Sequence, residues 1–408
     1  MLKNEYSFQY IKASNLDISI IIVSYNVKYF LEQCLCSVQR AIQNFQTEVI
    51  VIDNCSSDGS MEYLQPRFNW VRFIENEINM GFGKANNKAF SLCSGRYILF
   101  LNPDTLLAEH TLEACMEIFS KNQQCGAIGV RMLDGNGHFL AESKRSIPAA
   151  GNTFYKLAGF AAAFPHSKIF NNYALGNLSP EKMYPVPVLS GACMMVQKKL
   201  LDETGGFDET YFMYGEDIDL SYRLLQTGYE NIYAGHIPMI HFKGESTNKN
   251  QADYARRFYG AMDIFVSKHY AGKTGMLKKM FLRTGILSAS LMFKMKLLFA
   301  PKAQNSISRD EAVTYYLTGD AVGIAESHSI LLNAGIDVDR ISTLRTLTNH
   351  KKLANNSAIV FCMGSFTLED AMQFMQDSSS LQYYFHYIGS NTIIGSNDKN
   401  STGIFFTK

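Results

Sequence analysis

The 408-residue chain lacks the features that mark several classes of protein. Its eight cysteines form no Cys-x-x-Cys pair and no zinc-like spacing, and most lie in apolar or helical surroundings, as reduced structural cysteines do. The formal net charge is +1, so the composition gives no bias toward nucleic acid. Residues 1–14 contain no apolar core like that of a signal peptide. We therefore expect a cytoplasmic protein that binds no nucleic acid.

The sequence also lacks an apolar run that is long enough to cross a membrane. Residues 280–300 come nearest, but Arg283, Lys294 and Lys296 interrupt them and leave an uncharged core of ten residues. A bilayer span needs about 20 residues. We therefore predict no transmembrane helix in this stretch.

Acidic residues are missing from residues 264–309, which carry nine Lys or Arg. Two interpretations of this basic segment stay open. It is either an amphipathic helix on an anionic membrane surface or a buried helix that joins two domains and turns a basic face to solvent. The first interpretation makes the protein peripheral on the inner face of the cytoplasmic membrane.

Strand-like and helical patterns alternate over the first part of the chain. Hydrophobic residues make up 47% of the sequence and charged residues 18%, which is typical of a globular protein. Apolar strand-like runs lie at 18–25, 47–54, 70–76 and 96–104, with helical spacing at 27–45 and 82–93. Such alternation predicts an α/β fold with a mainly parallel central sheet.

The α/β pattern returns near the end of the chain. Strand-like runs lie at 312–320, 356–364 and 381–390. We predict a helical basic segment at 248–304 and, after it, a small separate α/β domain at 305–408. The stretches 318–320, 323–329 and 394–403 look like polar turns that could bind a polar group, but none matches a phosphate-binding fingerprint.

Polar or aromatic residues follow three of the predicted strands. Tyr25, Asp53 and Asp104 each stand at a carboxyl end, where open α/β sheets bind their ligands. Tyr25 can stack on a nucleobase, although a lone Tyr is more often part of the core or the surface. Asp53 can accept hydrogen bonds from a base or a ribose, or it can close a turn.

A glycine pair precedes the helical pattern at 82–93. Gly81 and Gly83 allow a ligand to approach the backbone closely, and the start of the following helix favours phosphate. A plain tight turn explains the same pattern equally well.

The stretch Asn-Pro-Asp at 102–104 ends in a single carboxylate, Asp104. A divalent cation on such a carboxylate offsets the charge that develops on a departing diphosphate. Because Mg²⁺ takes only one or two carboxylates together with phosphates and water, one Asp suffices. His241, at a later strand end, is a candidate second ligand, although a lone His is more often structural. The alternative for 102–104 is a strand that runs into a Pro-Asp turn.

Three acids stand at the start of a predicted helix. Glu216, Asp217 and Asp219 suit a first helical turn, and Asp219 has Arg223 four residues on as an ion-pair partner. One of these acids can also be a general base that takes a proton from a sugar hydroxyl. A paired Asp219 is the least free to do so, which leaves Asp217 or Glu216.

The order of these stretches resembles one known family. Over residues 18–247 the chain carries, in this order, SIIIVSYN, VIDNCSSDGS, GFGKANN, LFLNPD, SGACMMV, GGFDETYFMYGEDIDLSYRL and IHFKGEST. This order is similar to that of the inverting glycosyltransferases of family 2, and most similar to their bacterial rhamnosyltransferase-like branch. The resemblance implies a GT-A (nucleotide-diphospho-sugar transferase) domain at 1–247, in which nucleotide-binding and acceptor-binding halves share one sheet.

The resemblance also implies where a nucleotide-sugar donor binds. Tyr25 and Asp53 match positions that hold the base and the ribose. Gly81 and Gly83 match the loop near the nucleotide.

The same resemblance implies a metal site. Asn102 and Asp104 match the two ends of the family's Asp-x-Asp, with Asp104 as the carboxylate ligand of Mg²⁺ or Mn²⁺. His241 matches a histidine that completes the coordination in some members. Asn102 stands where the family's Asp-x-Asp has its first Asp, but the rhamnosyltransferase-like branch often has Asn-Pro-Asp.

The catalytic residues follow from the resemblance in the same way. Gly191 and Ala192 match the loop under the donor sugar, Asp217 the catalytic base and Glu216 a neighbour that contacts the acceptor. The implied reaction is one displacement: Asp217 deprotonates an acceptor hydroxyl, its oxygen attacks the anomeric carbon, and the configuration inverts without a covalent enzyme intermediate.

The expected acceptor is a glycan or a lipid-linked glycan in cell-surface polysaccharide biosynthesis in a bacterium. Two alternatives stay open. A nucleotidyltransferase shares parts of the fold but would carry a Gly-rich sequence at the first strand, where VSYNVKYF has none. A non-catalytic binding protein on the same fold would not need Asp104, Asp217 and His241 together.

Overall fold

The computed structural model describes residues 16–148, 163–242, 251–270, 283–284, 313–344, 353, 357–378, 381–396 and 403–408. The apolar stretch predicted at 280–300 lies outside the described residues apart from 283–284, so its amphipathic character stays a prediction. Within the described part of the chain, no helix combines the length and the apolar character that a membrane crossing requires.

The first α/β unit is built on strands that begin and end close to the predicted runs. They are β1 (Ile18–Ser24), β2 (Thr47–Asp53), β3 (Arg72–Glu75), β4 (Tyr97–Leu101), β5 (Thr105–Leu107), β6 (Cys125–Leu133), β7 (Lys144–Arg145), β8 (Met183–Pro185), β9 (Val188–Leu189), β10 (Cys193–Gln197) and β11 (Glu230–His241).

Helices connect these strands and cover both faces of their sheet. They are α1 (Lys28–Ala41), α2 (Ser60–Leu64), α3 (Phe82–Phe90), α4 (Thr111–Lys121), α5 (Lys198–Thr204), α6 (Glu216–Gln226) and α7 (Gln251–His269), with a 3₁₀ turn at Ala141–Ser143.

The central sheet has the order β3-β2-β1-β4-β10-β6-β11-β5, with β8 paired to β11. The first four strands run parallel, and β10 is antiparallel to both of its neighbours. The mainly parallel α/β sheet predicted from the sequence is therefore confirmed. Because β1, β2 and β4 are parallel, their carboxyl ends meet at one edge, where ligands of open α/β sheets bind.

Burial on both faces explains why β1 reads as a continuous apolar run. Ile18, Ile20 and Ile22 pack into one hydrophobic cluster, whereas Ile21 and Val23 pack into the cluster on the opposite face. A strand that is covered on both faces needs apolar residues at every position rather than at every second one.

The second α/β unit follows with its own six-stranded sheet in the order β13-β12-β14-β15-β16-β17. Its elements are β12 (Thr314–Gly319), α8 (Ala321–Asn333), a 3₁₀ turn (Val338–Arg340), β13 (Ile341–Thr343), β14 (Ser357–Met363), α9 (Leu368–Asp377), β15 (Gln382–Tyr387), β16 (Thr392–Gly395) and β17 (Ile404–Thr407).

The prediction of a turn at 323–329 is wrong, because these residues lie inside α8. Asp320 caps this helix by accepting a hydrogen bond from the Val322 N–H at 2.9 Å. Gly323 serves a close helix–strand contact instead of a turn, since a Cβ there would lie 3.0 Å from the Cβ of Cys362.

A shared apolar cluster joins the two units. The first unit contributes the buried side chains of Val27, Phe30, Leu106, Ile240 and Phe242, among others, and the second unit contributes those of β14, β15 and α9. The small domain predicted at 305–408 therefore packs its core directly against α1 and the end of β11.

Helix α1 is buried on its polar face as well. The Gln33 side chain is fully buried and donates hydrogen bonds to the Ser390 Oγ at 2.7 Å and the Thr392 carbonyl at 2.8 Å. Its Oε1 accepts a hydrogen bond from the Tyr387 N–H at 3.0 Å. The second unit therefore satisfies polar groups on a helix of the first.

We expect Gln33→Ala to lower the free energy of unfolding by about 1–3 kcal/mol, because it leaves the buried Tyr387 N–H without its acceptor. Urea unfolding measures this change. The matched control is Gln43→Ala, just beyond the same helix, where the side chain is exposed and the expected change stays within about 0.5 kcal/mol. Equal changes in the two variants would argue against a buried role for Gln33.

Candidate active site

The loops after β1 and β2 are tied to each other. The Asn26 N–H donates to the Ser56 Oγ at 2.8 Å, and the Asn26 Oδ1 accepts from the Ser57 N–H at 2.7 Å. Tyr25 is half-buried at this junction. The two predicted nucleotide residues, Tyr25 and Asp53, therefore stand side by side at the ends of paired strands.

Asp53 closes the turn that follows β2. Its carboxylate accepts hydrogen bonds from the Ser56 N–H at 2.7 Å and the Ser56 hydroxyl at 2.5 Å. Burial raises the pKa of Asp53 and outweighs these hydrogen bonds, which act in the opposite direction. The turn-closing role that the sequence left open is present, and it holds the carboxylate at the sheet edge.

The Gly81 loop packs against the chain that precedes α6. The Phe82 N–H donates to the Phe212 carbonyl at 2.9 Å, and the Asn54 amide donates to the Gly81 carbonyl at 3.1 Å. Gly81 has φ of +84°, and a Cβ there would lie 2.5 Å from the Phe212 oxygen. Gly83 makes only ordinary contacts. Close approach of protein backbone therefore accounts for Gly81.

Asp104 and His241 face each other across the β5–β11 pair. The antiparallel register places Thr105 opposite His241, and the Phe242 N–H donates to the Asp104 carbonyl at 2.9 Å. As a result the His241 Nε2 lies 3.4 Å from the Asp104 Oδ1, and the Asn102 amide lies 3.4 Å from the same nitrogen. Both side chains are buried.

A carboxylate oxygen and an imidazole nitrogen this close fit two positions on one divalent cation. The second His241 nitrogen, Nδ1, has no hydrogen-bond partner among the described residues. In that same part of the chain, no group of three or more His, Cys, Asp or Glu could hold a metal. Asp104 and His241 therefore supply two ligand positions for a cation within the described part of the chain.

The three acids of α6 have different surroundings. Asp219 is fully buried and accepts hydrogen bonds from His269 Nε2 at 2.7 Å, Lys268 Nζ at 2.9 Å and Arg223 Nε at 2.6 Å. Burial disfavours its charge, but these donors prevail and lower the pKa of Asp219. The predicted pair with Arg223 is present, and Asp219 holds α6 to α7.

Asp217 lies at the loop between β9 and β10. Its Oδ2 accepts hydrogen bonds from the Gly191 N–H at 3.1 Å and from the Arg145 guanidinium, and its Oδ1 accepts from the Ile218 N–H at 2.8 Å. A Cβ on Gly191 would lie 3.2 Å from the Cβ of Asp217. The structure thus brings the predicted base to the predicted donor-sugar loop.

Arg145 is a site residue that the sequence analysis missed. It lies on β7 opposite Val188 of β9, and its guanidinium also donates to the Leu189 carbonyl at 3.2 Å. The charge of Asp217 and the hydroxyl of Tyr173 raise the pKa of Arg145 despite its burial, so it stays a cation. A lone Arg in a weakly patterned stretch gave no signal, because only strand pairing brings it to Asp217.

Glu216 differs from its neighbour Asp217. It is buried, and its Oε2 has no hydrogen-bond partner among the described residues. Burial and the adjacent charge of Asp217 raise the pKa of Glu216. The surroundings of Glu216 therefore favour its protonated form.

Backbone contacts join these parts into one site. The Asn102 N–H donates to the Ala192 carbonyl at 2.9 Å, which links the 102–104 stretch to the loop that holds Asp217. The carboxyl ends of β1, β2 and β4 lie on the same edge. The strand ends, the Asp104–His241 pair and the Asp217 carboxylate therefore lie on connected loops, an arrangement that fits a nucleotide-sugar transferase of GT-A fold.

Comparison with known proteins supports the family that the sequence resembles. Residues 19–205 match the family model described as Glycosyl transferase family 2. N-acetylglucosaminyl-diphospho-decaprenol L-rhamnosyltransferase of Mycobacterium tuberculosis is 27% identical over 266 residues, which cover 62% of this chain and 85% of the relative. The prediction of a family 2 glycosyltransferase related to the rhamnosyltransferase branch is therefore supported by the family match over residues 19–205 and by this relative.

Other similar proteins carry related names. Low-salt glycan biosynthesis hexosyltransferase Agl10 of Haloferax volcanii is 25% identical over 264 residues, which cover 61% of this chain and 76% of that protein. The crystal structure of S. aureus TarS 1-349 in complex with UDP-GlcNAc is 16% identical, has a TM-score of 0.45 and covers 70% of this chain and 77% of that chain.

We expect Gly81→Ala to destabilise the protein more than Gly205→Ala. Both glycines have positive φ, +84° and +79°, so each substitution costs about 1–2 kcal/mol in backbone strain. At Gly205 a Cβ meets nothing within 4 Å, whereas at Gly81 it collides with the Phe212 carbonyl. This collision adds about 1–3 kcal/mol.

Urea unfolding of the two variants measures the difference. The Gly205→Ala variant is the control, because it carries the strain without the collision. An equal loss of stability in both variants would show that the contact with Phe212 does not constrain Gly81.

Proposed function

We propose that this protein transfers a sugar from a nucleotide-diphosphate donor to a hydroxyl of a glycan or lipid-linked glycan, with inversion, in cell-surface polysaccharide biosynthesis. The family match and the relatives' names support this proposal, since one relative acts on a lipid diphosphate-linked sugar and another, in Bacillus spizizenii, is named poly(ribitol-phosphate) beta-glucosyltransferase. The observation that carries it is the contact of Asp217 with the Gly191 loop.

Asp217 is the proposed base. Its Oδ2 is held by Arg145 and Gly191, which fix the carboxylate, whereas among the described residues its Oδ1 accepts only the Ile218 N–H. Each carboxylate oxygen can accept two hydrogen bonds, so Oδ1 can also receive an acceptor hydroxyl. In the proposed step Oδ1 takes the hydroxyl proton while the acceptor oxygen attacks the anomeric carbon and the bond to the diphosphate breaks.

Glu216 is proposed to contact the acceptor rather than to act as the base. Its raised pKa favours the protonated form, which donates a hydrogen bond but takes no proton. Arg145 lies against Asp217 instead, and its guanidinium donates a hydrogen bond to the Asp217 Oδ2. In this proposal the two neighbouring carboxyls therefore have separate roles.

The donor is proposed to bind along the edge formed by β1, β2 and β4. Tyr25 stacks on the nucleobase of the donor, Asp53 contacts its ribose, and the loop with Gly81 and Gly83 lies near its phosphates. Gly191 and Ala192 lie under the donor sugar, next to the proposed catalytic base, Asp217. The register of β1 and β2, in which Ser24 pairs with Asp53, supports the neighbouring positions of Tyr25 and Asp53.

Asp104 and His241 are proposed to hold Mg²⁺ or Mn²⁺, with Asn102 as a neutral neighbour. When bound, such a cation offsets the charge that gathers on the leaving diphosphate. The residues of this chain hold the pair in place through the β5–β11 register and the hydrogen bond from Phe242 to Asp104.

The protein is proposed to work in the cytoplasm at the inner face of the cytoplasmic membrane. The basic segment 264–309 would contact anionic lipid there, and residues 145–185 would contribute to acceptor choice. Of the latter, residues 149–162 lie outside the described part of the chain.

We expect Asp217→Asn to reduce transfer by about 10²–10⁴-fold while donor binding is retained, because the amide keeps the shape but accepts no proton. Released nucleoside diphosphate, measured across a panel of nucleotide sugars with a glycan acceptor extract, reports the activity. Asp202→Asn, on the exposed face of α5, is the control and should keep full activity. Full activity of Asp217→Asn would move the base role to another group.

We expect Asp104→Ala to abolish metal-dependent transfer and Asn102→Ala to weaken it less. Asp104 supplies a charged ligand atom beside His241, whereas Asn102 supplies a neutral amide at 3.4 Å. Transfer is measured across a Mn²⁺ titration for each variant. Transfer by Asp104→Ala at the normal level, with or without Mn²⁺, would contradict the proposed metal site.

A further inference from the structure

We propose that residues 313–408 are a positioning module for the donor site. In this proposal the ligand-binding edge of its sheet is occupied by helix α1, and one aromatic side chain, Phe385, supports the strand end that carries His241. The role of the donor site rests on the proposed function. The packing of Phe385 against the strand end that carries His241 does not depend on that function.

Side chains of the first unit occupy the carboxyl-end loops of the second sheet. Arg40 on α1 donates to the carbonyl of Gly364, directly after β14, and Arg67 donates to the carbonyl of Gly389, after β15, at 3.0 Å. This edge is where an open α/β sheet would bind a ligand of its own.

A buried carboxylate fixes the docking of the two units. Glu32 on α1 is fully buried and accepts hydrogen bonds from the Thr392 hydroxyl at 2.7 Å and the Asn391 N–H at 3.2 Å in the second unit. From the first unit it accepts the Tyr63 hydroxyl at 2.9 Å and pairs with Arg67 at 3.0 Å. Because a buried charge must keep its partners, this geometry disfavours other arrangements of the units.

Packed aromatic side chains connect this interface to the proposed metal ligands, Asp104 and His241. Phe242 follows His241 directly, is buried, and donates its N–H to the Asp104 carbonyl. Its ring packs edge-on against Phe30 of α1 at 5.2 Å and against Phe385 of β15 at 5.9 Å between centroids. Phe385 thus touches the residue that ties the two proposed metal ligands together.

Removal of the Phe385 ring should therefore loosen Phe242. The substitution leaves a cavity beside the Phe242 ring, which loses its van der Waals contacts with Phe385. The surrounding structure relaxes only in part and does not replace them. The Phe242 ring would gain freedom, and its hydrogen bond to Asp104 would open more often. Phe385 acts through Phe242 and touches no reacting group, so its role is positioning.

The neighbouring residue provides a matched control. Tyr384 precedes Phe385 on β15, is equally buried, and points to the opposite face of the sheet, where it packs with Tyr315 and Phe406. Loss of either ring damages the same strand. Only the loss of Phe385 removes a contact with the first unit.

Amide hydrogen exchange on the full-length chain, without donor or metal, tests the proposal. We expect Phe385→Ala to raise exchange at the Phe242 amide about tenfold or more, whereas Tyr384→Ala changes it less than about twofold. If the alanine variants do not fold, Phe385→Leu and Tyr384→Leu give the same comparison with smaller cavities.

The proposal would be overturned if the Phe385 variant and the matched Tyr384 variant both left exchange at the Phe242 amide unchanged. Equal increases in the two variants would overturn it as well. The measurement needs no activity, so its failure differs from a failure of the proposed function. The latter would appear as transfer that survives Asp217→Asn or Asp104→Ala.

Discussion

The hydrogen bond from the Asn102 N–H to the Ala192 carbonyl, at 2.9 Å, joins the two halves of the active site. It exists because β10 lies antiparallel to β4, so the loop before β10 meets the loop after β4. On one side of it stand Asp104 and His241, and on the other side stand Gly191 and Asp217. Without the antiparallel pairing of β10 with β4, the proposed cation ligands and the proposed base would lie on unconnected loops.

Two adjacent carboxyls with different surroundings give this site its chemistry. Arg145 and the Gly191 N–H stabilise the charge on Asp217, whereas burial without a partner favours the proton on Glu216. Charges on both carboxyls would repel each other, so the neighbouring Asp217 carboxylate favours a proton on Glu216. The division depends on β7 and β9, a pair of two-residue strands that holds Arg145 at the site.

Most of the first unit could be predicted from the sequence, because its strands are apolar throughout and its helices have clear spacing. The strand-end residues Tyr25, Asp53 and Asp104 were found for the same reason. Arg145 could not be found, since it depends on a pairing between strands more than forty residues apart.

The polar face of α1 shows the same limit of sequence reasoning. Glu32 and Gln33 are polar residues, yet both side chains are fully buried. Each has a partner more than 350 positions further along the chain. The turn predicted at 323–329 failed for a related reason, because Gly323 meets Cys362 of a strand that the local sequence does not contain.

The helix that carries the proposed base is also connected to the basic segment. Asp219 lies two residues after Asp217 on α6, and it holds Lys268 and His269 at the end of α7. These two residues are themselves part of the basic segment 264–309. A segment that contacts anionic lipid would therefore place α6 close to the membrane surface, where a lipid-linked acceptor carries its hydroxyl.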